Sequence, residues 1–377
     1  MSETLTRKIQ LVDLTTLHAR LKPELDEEIE KVVSTAGFIN GPAVGELECM
    51  LAGYLGIKYA IGCANGTDAL QVALMALDVK AGDEVITTPF TFAATTEAIL
   101  LVGATPRYVD IDERTFNLDA NLLEAAITPK TKAILPVHLY GQAAEIDRIT
   151  HIACEHGLNV IEDNAQSFGA TYKGKKVGTF GRVSTTSFFP AKNLGAFGDA
   201  GGLFTDDEAL YFKLKMIAQH GAKIRYTHEL LGINSRLDTL QAAVLKVKLK
   251  YLDAFNDARR TAADGYDKHL ASANLRTPYR DANGTHIFHQ YTVTLNEDGQ
   301  REELQKFLQS HGVPSSVHYP IPSHWQTAFH DDLYPKGSLP VAERISQRVL
   351  SLPMHTELDE EQVQFISEKI TAFLGKK

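Results

Sequence analysis

From about residue 58 the chain alternates between two kinds of apolar pattern. Short apolar runs such as "YAIGC", "NVIED" and "VSTTSFF" have the length and composition of buried strands. Between them, "DALQVALMAL" and "EIDRITHIACEHG" carry apolar residues at helical spacing, and Gly157 is a typical helix end. Strands that alternate with helices predict a mainly parallel sheet covered by helices.

The pattern changes near residue 235. There "SRLDTLQAAVLKVKLKYLDAFNDARRTAADGYDKHL" predicts one or two long amphipathic helices, "HQYTVTL" a strand and "DEEQVQFISEKITAFL" a C-terminal helix. Ahead of the sheet, "PELDEEIEKVVSTAG" predicts a helix that packs against one or both of the later parts. We therefore predict an α/β protein, with an N-terminal helix and a large domain over residues 1–250 and a smaller α+β domain over residues 251–377.

Composition narrows the class of protein. A chain of 377 residues can bury a large core, and its net charge of -9 argues against nucleic acid as a general partner. Cys49, Cys63 and Cys154 are too widely spaced for a metal site or a disulfide framework. We see no signal peptide and no run near the roughly 18 apolar residues of a membrane helix. These features predict a cytoplasmic protein that has no bound metal and no membrane contact.

Ligands of open α/β sheets bind beyond the C-terminal ends of the strands. A dinucleotide site or a P-loop needs a glycine spacing that no strand end of this chain has, which disfavours a dehydrogenase. "CANGTDAL" instead places a turn at Asn65-Gly66 and predicts Thr67 as the N-cap of the next helix. The free amides and the hydroxyl there suit a phosphate, although an ordinary capped turn has the same sequence.

Two further motifs carry charged groups. In "VIEDNAQSFGA", Asp163 follows a strand predicted to be buried, and Gln166 comes three residues later. A buried carboxylate is costly unless it meets a cation, such as a protonated heterocyclic nitrogen. Alternatively, Glu162 and Asp163 simply begin a solvated loop. In "SFFPAKNLGAFGDAGG", Lys192 lies among apolar and small residues, as either a flexible surface lysine or an amine kept for covalent chemistry.

Together these motifs meet the requirements of pyridoxal 5′-phosphate. Lys192 would form the Schiff base, and Asp163 would keep the pyridine nitrogen protonated so that the ring withdraws electrons. The helix end near Gly66, with the Ser187 hydroxyl, would hold the phosphate. Phe90 or Phe92, in "TPFTF", could stack on the ring.

The order of the motifs is that of a known family. "FINGP", "NGTDAL", "PFTF", "EDNAQSFGA", "SFFPAKNLGAFGDAGG", "GINSRLDTLQAAVL" and "HYPIP" follow one another from Val12 nearly to the C-terminus. In this the chain resembles the DegT/DnrJ-type nucleotide-sugar aminotransferases, which are pyridoxal-phosphate enzymes of the aspartate aminotransferase fold, fold type I. The resemblance implies a homodimer with shared active sites.

The resemblance also implies a role for each matching residue. Lys192 matches the Schiff-base lysine, Asp163 the acid on the pyridine nitrogen and Gln166 the amide near the phenolic oxygen. Asn234 matches an asparagine that reaches the phosphate from the partner subunit. The remaining matches are the phosphate contacts Gly66, Thr67 and Ser187, the stacking aromatic Phe92, with Phe90 close in sequence, and the sugar-nucleotide contacts Arg236, His318 and Tyr319.

The implied reaction is amino transfer from L-glutamate to a nucleotide-linked keto sugar. The motifs look most like those of members that aminate C3 of UDP-2-acetamido-2-deoxy-3-oxo-glucuronic acid, for O-antigen and lipopolysaccharide synthesis. The alternatives are a neutral dTDP-3-keto-6-deoxy sugar, a 4-keto sugar nucleotide, a sugar dehydratase, which carries histidine at the position of Lys192, and a cofactor-binding regulator without turnover. For Arg236, the alternative to a substrate carboxylate is a protein carboxylate such as Asp238.

Overall fold

The structure is a computed structural model that describes residues 7–224 and 226–375. Most of its longer strands coincide with predicted apolar runs, whereas the strands Gly201–Thr205 and Val349–Leu352 were not predicted and the remaining additions are short pairs. They are β1 (Tyr59–Cys63), β2 (Glu84–Thr87), β3 (Thr105–Tyr108), β4 (Thr131–Ile134), β5 (Asn159–Asp163), β6 (Thr171–Tyr172), β7 (Lys175–Lys176), β8 (Val183–Ser187), β9 (Gly201–Thr205), β10 (Ala222–Ile224), β11 (Thr227–His228), β12 (Leu275–Arg276), β13 (Tyr291–Leu295) and β14 (Val349–Leu352).

The helices occupy the segments with helical apolar spacing. They are α1 (Leu14–Thr35), α2 (Pro42–Leu55), α3 (Gly66–Ala76), α4 (Ala93–Leu101), α5 (Leu123–Ala126), α6 (Ile146–Glu155), α7 (Glu208–Ala218), α8 (Thr239–Leu249), α9 (Leu252–Leu270), α10 (Gln300–Ser310), α11 (Pro340–Arg348) and α12 (Glu360–Leu374). Three 3₁₀ turns are added at Leu139–Gly141, Ser323–Trp325 and Thr327–Phe329.

The central sheet has the strand order β1-β9-β8-β5-β4-β2-β3. Its neighbours from β8 to β3 pair in parallel, whereas β9 runs antiparallel to both β1 and β8. The predicted mainly parallel sheet is therefore confirmed. The reversed strand arises because a loop without a helix, residues 188–200, joins β8 directly to β9. Such a loop can join antiparallel strands, whereas parallel neighbours need a longer crossover.

The N-terminal helix differs from its prediction. Pro23 lies inside α1 and does not begin it, since the helix starts nine residues earlier at Leu14. Asp13 caps this start by accepting a hydrogen bond of 3.0 Å from the amide of Thr16. The buried face of α1 packs against α8 and α9, with Leu17, Leu21, Leu25, Val244, Val247 and Phe255 in one apolar cluster.

The C-terminal part is built around the antiparallel sheet β12-β13-β14. Its apolar core is shared with α9, α10 and α12, and is distinct from the clusters around the seven-stranded sheet. α8 packs with the preceding helices, while most of α9 packs with the C-terminal sheet. The domain boundary at residue 250 stays a prediction, although it lies at the short connection between these two helices.

Candidate active site

A cavity of about 740 Å³ opens at the C-terminal ends of the parallel strands. This is where the strand topology of an open α/β sheet favours a ligand. The segments after β1, β2, β5 and β8 form its floor, and residues of the C-terminal part close one side. The principal lining residues are Asn65, Gly66, Thr67, Asp68, Thr91, Phe92, Thr95, Asp163, Gln166, Ser187, Lys192, Asp199, His289, Gln290, His318 and Tyr319.

Lys192 lies in the loop between β8 and β9 and reaches into this cavity. The side chain is partly enclosed, and burial lowers the pKa of Lys192 to about 8, against the opposing effect of the nearby Asp163. Within residues 7–224 and 226–375, the amine makes no hydrogen bond and no ion pair. A flexible surface lysine would have an ordinary pKa, so the structure favours the alternative of an amine available for chemistry.

The loop that carries Lys192 is braced from behind. Asn193 donates hydrogen bonds of 2.7 Å to the side chain of Asn256 and 3.1 Å to the carbonyl of Ile287. The buried Lys248 amine donates a bond of 2.6 Å to the carbonyl of Gly195. Because α8, α9 and the segment before β13 all hold this loop, the position of Lys192 depends on both parts of the chain.

Asp163 is the last residue of β5 and is buried. Its carboxylate accepts hydrogen bonds of 3.0 Å from the Thr95 hydroxyl and 3.2 Å from the amide of Ala165. Burial raises the pKa of Asp163 above its ordinary value. Asp163 therefore does not begin a solvated loop. Glu162 does not either, because it is buried and its Oε2 lies 2.9 Å from Nε2 of His138.

The predicted phosphate cradle lies at the start of α3. Here Asn65 is the N-cap and accepts a hydrogen bond of 2.8 Å from the amide of Asp68, so the prediction of Thr67 as N-cap is wrong. An asparagine side chain reaches the third helical amide readily, and Thr67 is left in the first turn with its hydroxyl free for a ligand. A Cβ on Gly66 would meet the Cβ of Ser187 at 2.7 Å, which shows how closely the two segments approach.

The two candidate stacking aromatics are separated by the structure. Phe92 lines the cavity and is 58% exposed. Phe90 is fully buried and packs edge-on against Phe116, Tyr140 and Tyr319. The geometry thus leaves Phe92 as the ring that a ligand in the cavity can contact.

Gln166, His318 and Tyr319 come together on one side of the cavity. The Gln166 amide nitrogen donates a bond of 3.1 Å to the Tyr319 hydroxyl, and its oxygen accepts one of 2.9 Å from the amide of Tyr140. His318 hydrogen-bonds Ser351 at 2.9 Å, and burial lowers the pKa of His318 to about 4. Its imidazole is therefore neutral at physiological pH.

Asn234 and Arg236 do not line the cavity of their own chain. Arg236 donates a hydrogen bond of 3.1 Å to Asn234, which is exposed. Arg236 does not pair with a protein carboxylate in the part of the chain that the structure describes. Its guanidinium forms no ion pair with Asp238 or with any other acid among residues 7–224 and 226–375. Between them Ser235 is buried and accepts a bond of 3.2 Å from the amide of Ala64.

Sequence reasoning missed several lining residues. Thr95 lies one helical turn after Phe92, so the spacing of a cavity-facing aromatic on a helix start could have found it. His289 and Gln290 immediately precede β13, and "HQYTVTL" was interpreted only as strand-like. Asp199 lies beyond Lys192 in a loop whose course no periodicity predicts.

The cavity has an unusual charge balance for an anionic ligand. Among the described residues that line it, Lys192 is the one cation, while the acids are Asp68, Asp163 and Asp199. Its two lining histidines, His289 and His318, have pKa values lowered by burial and are neutral. A single chain thus offers few positive groups to phosphates or carboxylates.

Comparison with known proteins identifies the family of the chain. Residues 19–371 match the DegT/DnrJ/EryC1/StrS aminotransferase family. The chain is 49% identical to a UDP-2-acetamido-2-deoxy-3-oxo-D-glucuronate aminotransferase of Pseudomonas aeruginosa, covering 96% of this chain and 99% of that protein. It is 46% identical to a UDP-N-acetyl-3-dehydro-alpha-D-glucosamine 3-aminotransferase of Acidithiobacillus ferrooxidans, covering 96% and 97%.

A solved structure agrees in fold. The structure of NtdA from Bacillus subtilis, with bound cofactor PMP, superposes with a TM-score of 0.90 at 32% identity, covering 100% of this chain and 87% of that one. The predicted fold class, that of fold type I pyridoxal-phosphate transferases, is confirmed.

Proposed function

The chain belongs to the DegT/DnrJ/EryC1/StrS aminotransferase family, and on this basis we propose that it transfers the amino group of L-glutamate to C3 of UDP-2-acetamido-2-deoxy-3-oxo-glucuronic acid. It is a sugar-nucleotide aminotransferase, and its cofactor is pyridoxal 5′-phosphate. The choice of this sugar is supported by the 49% identity to the Pseudomonas aeruginosa relative over nearly the whole chain.

The residues of the cavity fit this cofactor. Asp163 is a buried carboxylate that forms no ion pair among the described residues, and a protonated ring nitrogen would supply the missing charge. Lys192 presents to the same cavity an amine that has no hydrogen-bond or ion-pair partner among residues 7–224 and 226–375. Gly66 at the start of α3 and Ser187 at the end of β8 approach so closely that a Cβ on Gly66 would clash with Ser187. This brings the amides of the helix start and the Ser187 hydroxyl together as donors for one phosphate.

We assign these residues as follows. Lys192 forms the covalent link to the cofactor and Asp163 holds its ring nitrogen protonated. Phe92 covers one ring face, and Gln166 faces the phenolic oxygen. The backbone at Gly66 and the hydroxyls of Thr67 and Ser187 bind the phosphate.

Lys192 also moves the proton in this proposal. When bound, the cofactor withdraws electrons from the substrate carbon and so weakens its C–H bond. With a pKa of about 8, the freed Lys192 amine exists in both protonation states near neutral pH. It can therefore take a proton from the amino-acid carbon and return one to the sugar carbon, as a general base and acid.

The charge of the cavity supports a homodimer with shared sites. The substrate brings two phosphates and a carboxylate, but Lys192 is the one cation among the described residues that line the cavity. Asn234 and Arg236 lie outside, available to a second copy. Two exposed apolar side chains also favour a partner surface: Leu101 and Leu231 line a second cavity together with Ile233, the residue before Asn234.

In this dimer, Asn234 would reach the cofactor phosphate of the partner, and Arg236 would bind the uronic-acid carboxylate. His318 and Tyr319, which line the cavity of their own chain, would contact the sugar. A guanidinium is suited to this role because it binds a carboxylate through two parallel hydrogen bonds.

We place the reaction in the cytoplasm, in the supply of amino sugars for lipopolysaccharide and O-antigen. The role in polysaccharide synthesis follows from the proposed substrate, because a nucleotide sugar is the activated form from which sugar units are transferred. Among the described residues, the helices are all too short or too polar to cross a membrane.

The test is a panel of nucleotide keto sugars assayed with glutamate. The panel holds the UDP-linked 3-keto-uronic acid, UDP-3-keto-N-acetylglucosamine, a dTDP-3-keto-6-deoxy sugar and a 4-keto sugar nucleotide. The proposal expects the highest kcat/KM for the uronic acid, with 2-oxoglutarate formed in equal amount. A preference for another sugar would mean that this sugar, and not the uronic acid, is the substrate. Sugar deoxygenation without amino transfer would indicate a dehydratase.

A further inference from the structure

His289 is a histidine that lines the wall of the cavity. It is buried, and its Nδ1 has no hydrogen-bond partner. Within residues 7–224 and 226–375, its imidazole makes no hydrogen bond at all. A buried polar ring without a partner is uncommon in proteins and indicates a group that acts on something else in the site.

Hydrogen bonds tie the segment that carries His289 to the loop that carries Lys192. The side chain of Asn193, the residue after Lys192, donates a hydrogen bond of 3.1 Å to the carbonyl of Ile287, two residues before His289. Arg259 fixes the same segment by donating bonds of 3.1 Å and 3.4 Å to the carbonyls of Phe288 and His289. The lysine loop and the histidine are thus tied together and face one cavity.

The groups around the imidazole keep it neutral. Burial and the neighbouring Lys192, Arg259 and His318 hold the pKa of His289 well below its ordinary value. A neutral imidazole has one nitrogen that accepts a hydrogen bond. The Lys192 amine is a donor that has no partner in the described part of the chain, so the two groups complement each other.

We propose that His289 is a positioning residue that accepts a hydrogen bond from the Lys192 amine once a substrate has released that amine from the cofactor. A neutral amine has two N–H bonds and one lone pair. Donating one N–H to His289 fixes the direction of the lone pair, which then takes the proton from the substrate carbon. The inference rests on the proposed role of Lys192 as the proton carrier.

The test compares His289→Leu, which removes the acceptor, with His289→Gln, which retains one. The first measurement uses protein loaded with pyridoxamine 5′-phosphate, the aminated form of the cofactor, which leaves Lys192 free: Lys192 is labelled with an amine reagent over a pH series and the labelled peptide is quantified. Loss of the acceptor should lower the pKa of Lys192 relative to the wild type, because an ammonium gains more from the bond than a neutral amine. The glutamine variant should restore it.

The second measurement is the single-turnover reaction of the loaded protein with glutamate. His289→Leu should slow it roughly ten- to a hundred-fold, because the amine becomes an ammonium as it takes the proton and the lost hydrogen bond is then one to a charged group. His289→Gln should stay within about threefold of the wild type. The control is His286→Leu, since His286 is also buried and neutral but does not line the cavity. Its Nδ1 accepts a hydrogen bond of 3.0 Å from the amide of Phe288, so this variant measures the effect of disturbing the segment alone.

Two results would overturn the inference. If His289→Leu leaves both the Lys192 pKa and the half-reaction unchanged, His289 does not position the amine. If the glutamine variant is as impaired as the leucine variant, while both melt like the wild type, shape and not hydrogen bonding matters. Failure of the wild type itself to accept an amine from glutamate would instead refute the proposed function, and the labelling of Lys192 would still test the contact.

Discussion

Thr95 donates a hydrogen bond of 3.0 Å to Asp163, and this bond joins the first turn of α4 to the end of β5. A second bond of 3.1 Å links Thr95 to Thr91. The acid is therefore oriented by a neighbouring helix while its own strand buries it. The contribution of the Asp163 charge and that of its orientation can be tested separately by two substitutions.

Asp163→Asn should bind the cofactor but turn over at least a hundred-fold more slowly, because an amide cannot hold the ring nitrogen protonated. Thr95→Val keeps the charge and loses one hydrogen bond, so kcat should fall by a smaller factor, roughly ten-fold. Steady-state kinetics with glutamate measure both. Near-normal turnover of Asp163→Asn would remove this residue from the proposed role.

Lys192 should be the residue that borohydride fixes to the cofactor, which peptide mapping would show. Because only the neutral amine attacks an aldehyde and the pKa of Lys192 is about 8, cofactor uptake by the apo-protein should accelerate as pH rises towards 8. Above that pH it should level off, since the amine is then already neutral. Lys192→Ala should fold normally and lose amino transfer, and a label on another lysine would contradict the assignment.

Gly66→Ala should weaken cofactor binding and destabilise the fold by about 1–3 kcal/mol, because the new Cβ would lie 2.7 Å from the Cβ of Ser187. Gly45→Ala is the matched control, as Gly45 lies in α2 with no atom within 4 Å of a new Cβ. Removing that helical glycine should stabilise by about 0.5–1 kcal/mol. Thermal melting and cofactor titration check both, and equal behaviour of the two variants would count against the cradle.

Asn234 should act across a dimer interface. Lys192→Ala chains and Asn234→Ala chains, each inactive or nearly so, should recover part of the activity when mixed, because one of the two sites in a mixed dimer is then intact. Subunit exchange is followed with differently tagged chains. Demonstrated exchange without recovery would show that each site is complete in one chain.

Arg236→Ala should lower kcat/KM for the keto-uronic acid roughly ten- to a hundred-fold, because a hydrogen bond to a charged group is lost. The half-reaction with glutamate should change little, because that substrate does not carry the sugar carboxylate. A neutral 3-keto-6-deoxy sugar nucleotide serves as the comparison. Equal losses for both sugars would mean that Arg236 does not recognise the carboxylate.

The sequence predicted the parts of the site that local patterns specify. Asp163 follows an apolar strand, and Lys192 lies in a motif whose apolar and small residues mark an enclosed amine. Both line the cavity. The position of a strand end follows from periodicity, and parallel strands end on one edge of the sheet, so these residues meet there for topological reasons.

Other residues depend on packing that no local pattern records. His289 reaches the cavity because the C-terminal part packs over the lysine loop, and Thr95 because α4 lies across the end of β5. The N-cap at Asn65 was missed because two residues able to cap stand two positions apart in the sequence. Arg236 was predicted as a substrate contact, but its own chain does not bring it to the cavity.

The bracing of the lysine loop limits how this enzyme can be recombined with its relatives. A chimera that takes its C-terminal part from another family member, to borrow sugar specificity, also replaces Asn256 and Ile287, which hold Asn193. The graft would then shift the reactive amine along with the pocket wall. A chimera should therefore carry residues 188–200 and α8, which supplies Lys248, from the same parent as its C-terminal part, so that the amine and its supports are inherited together.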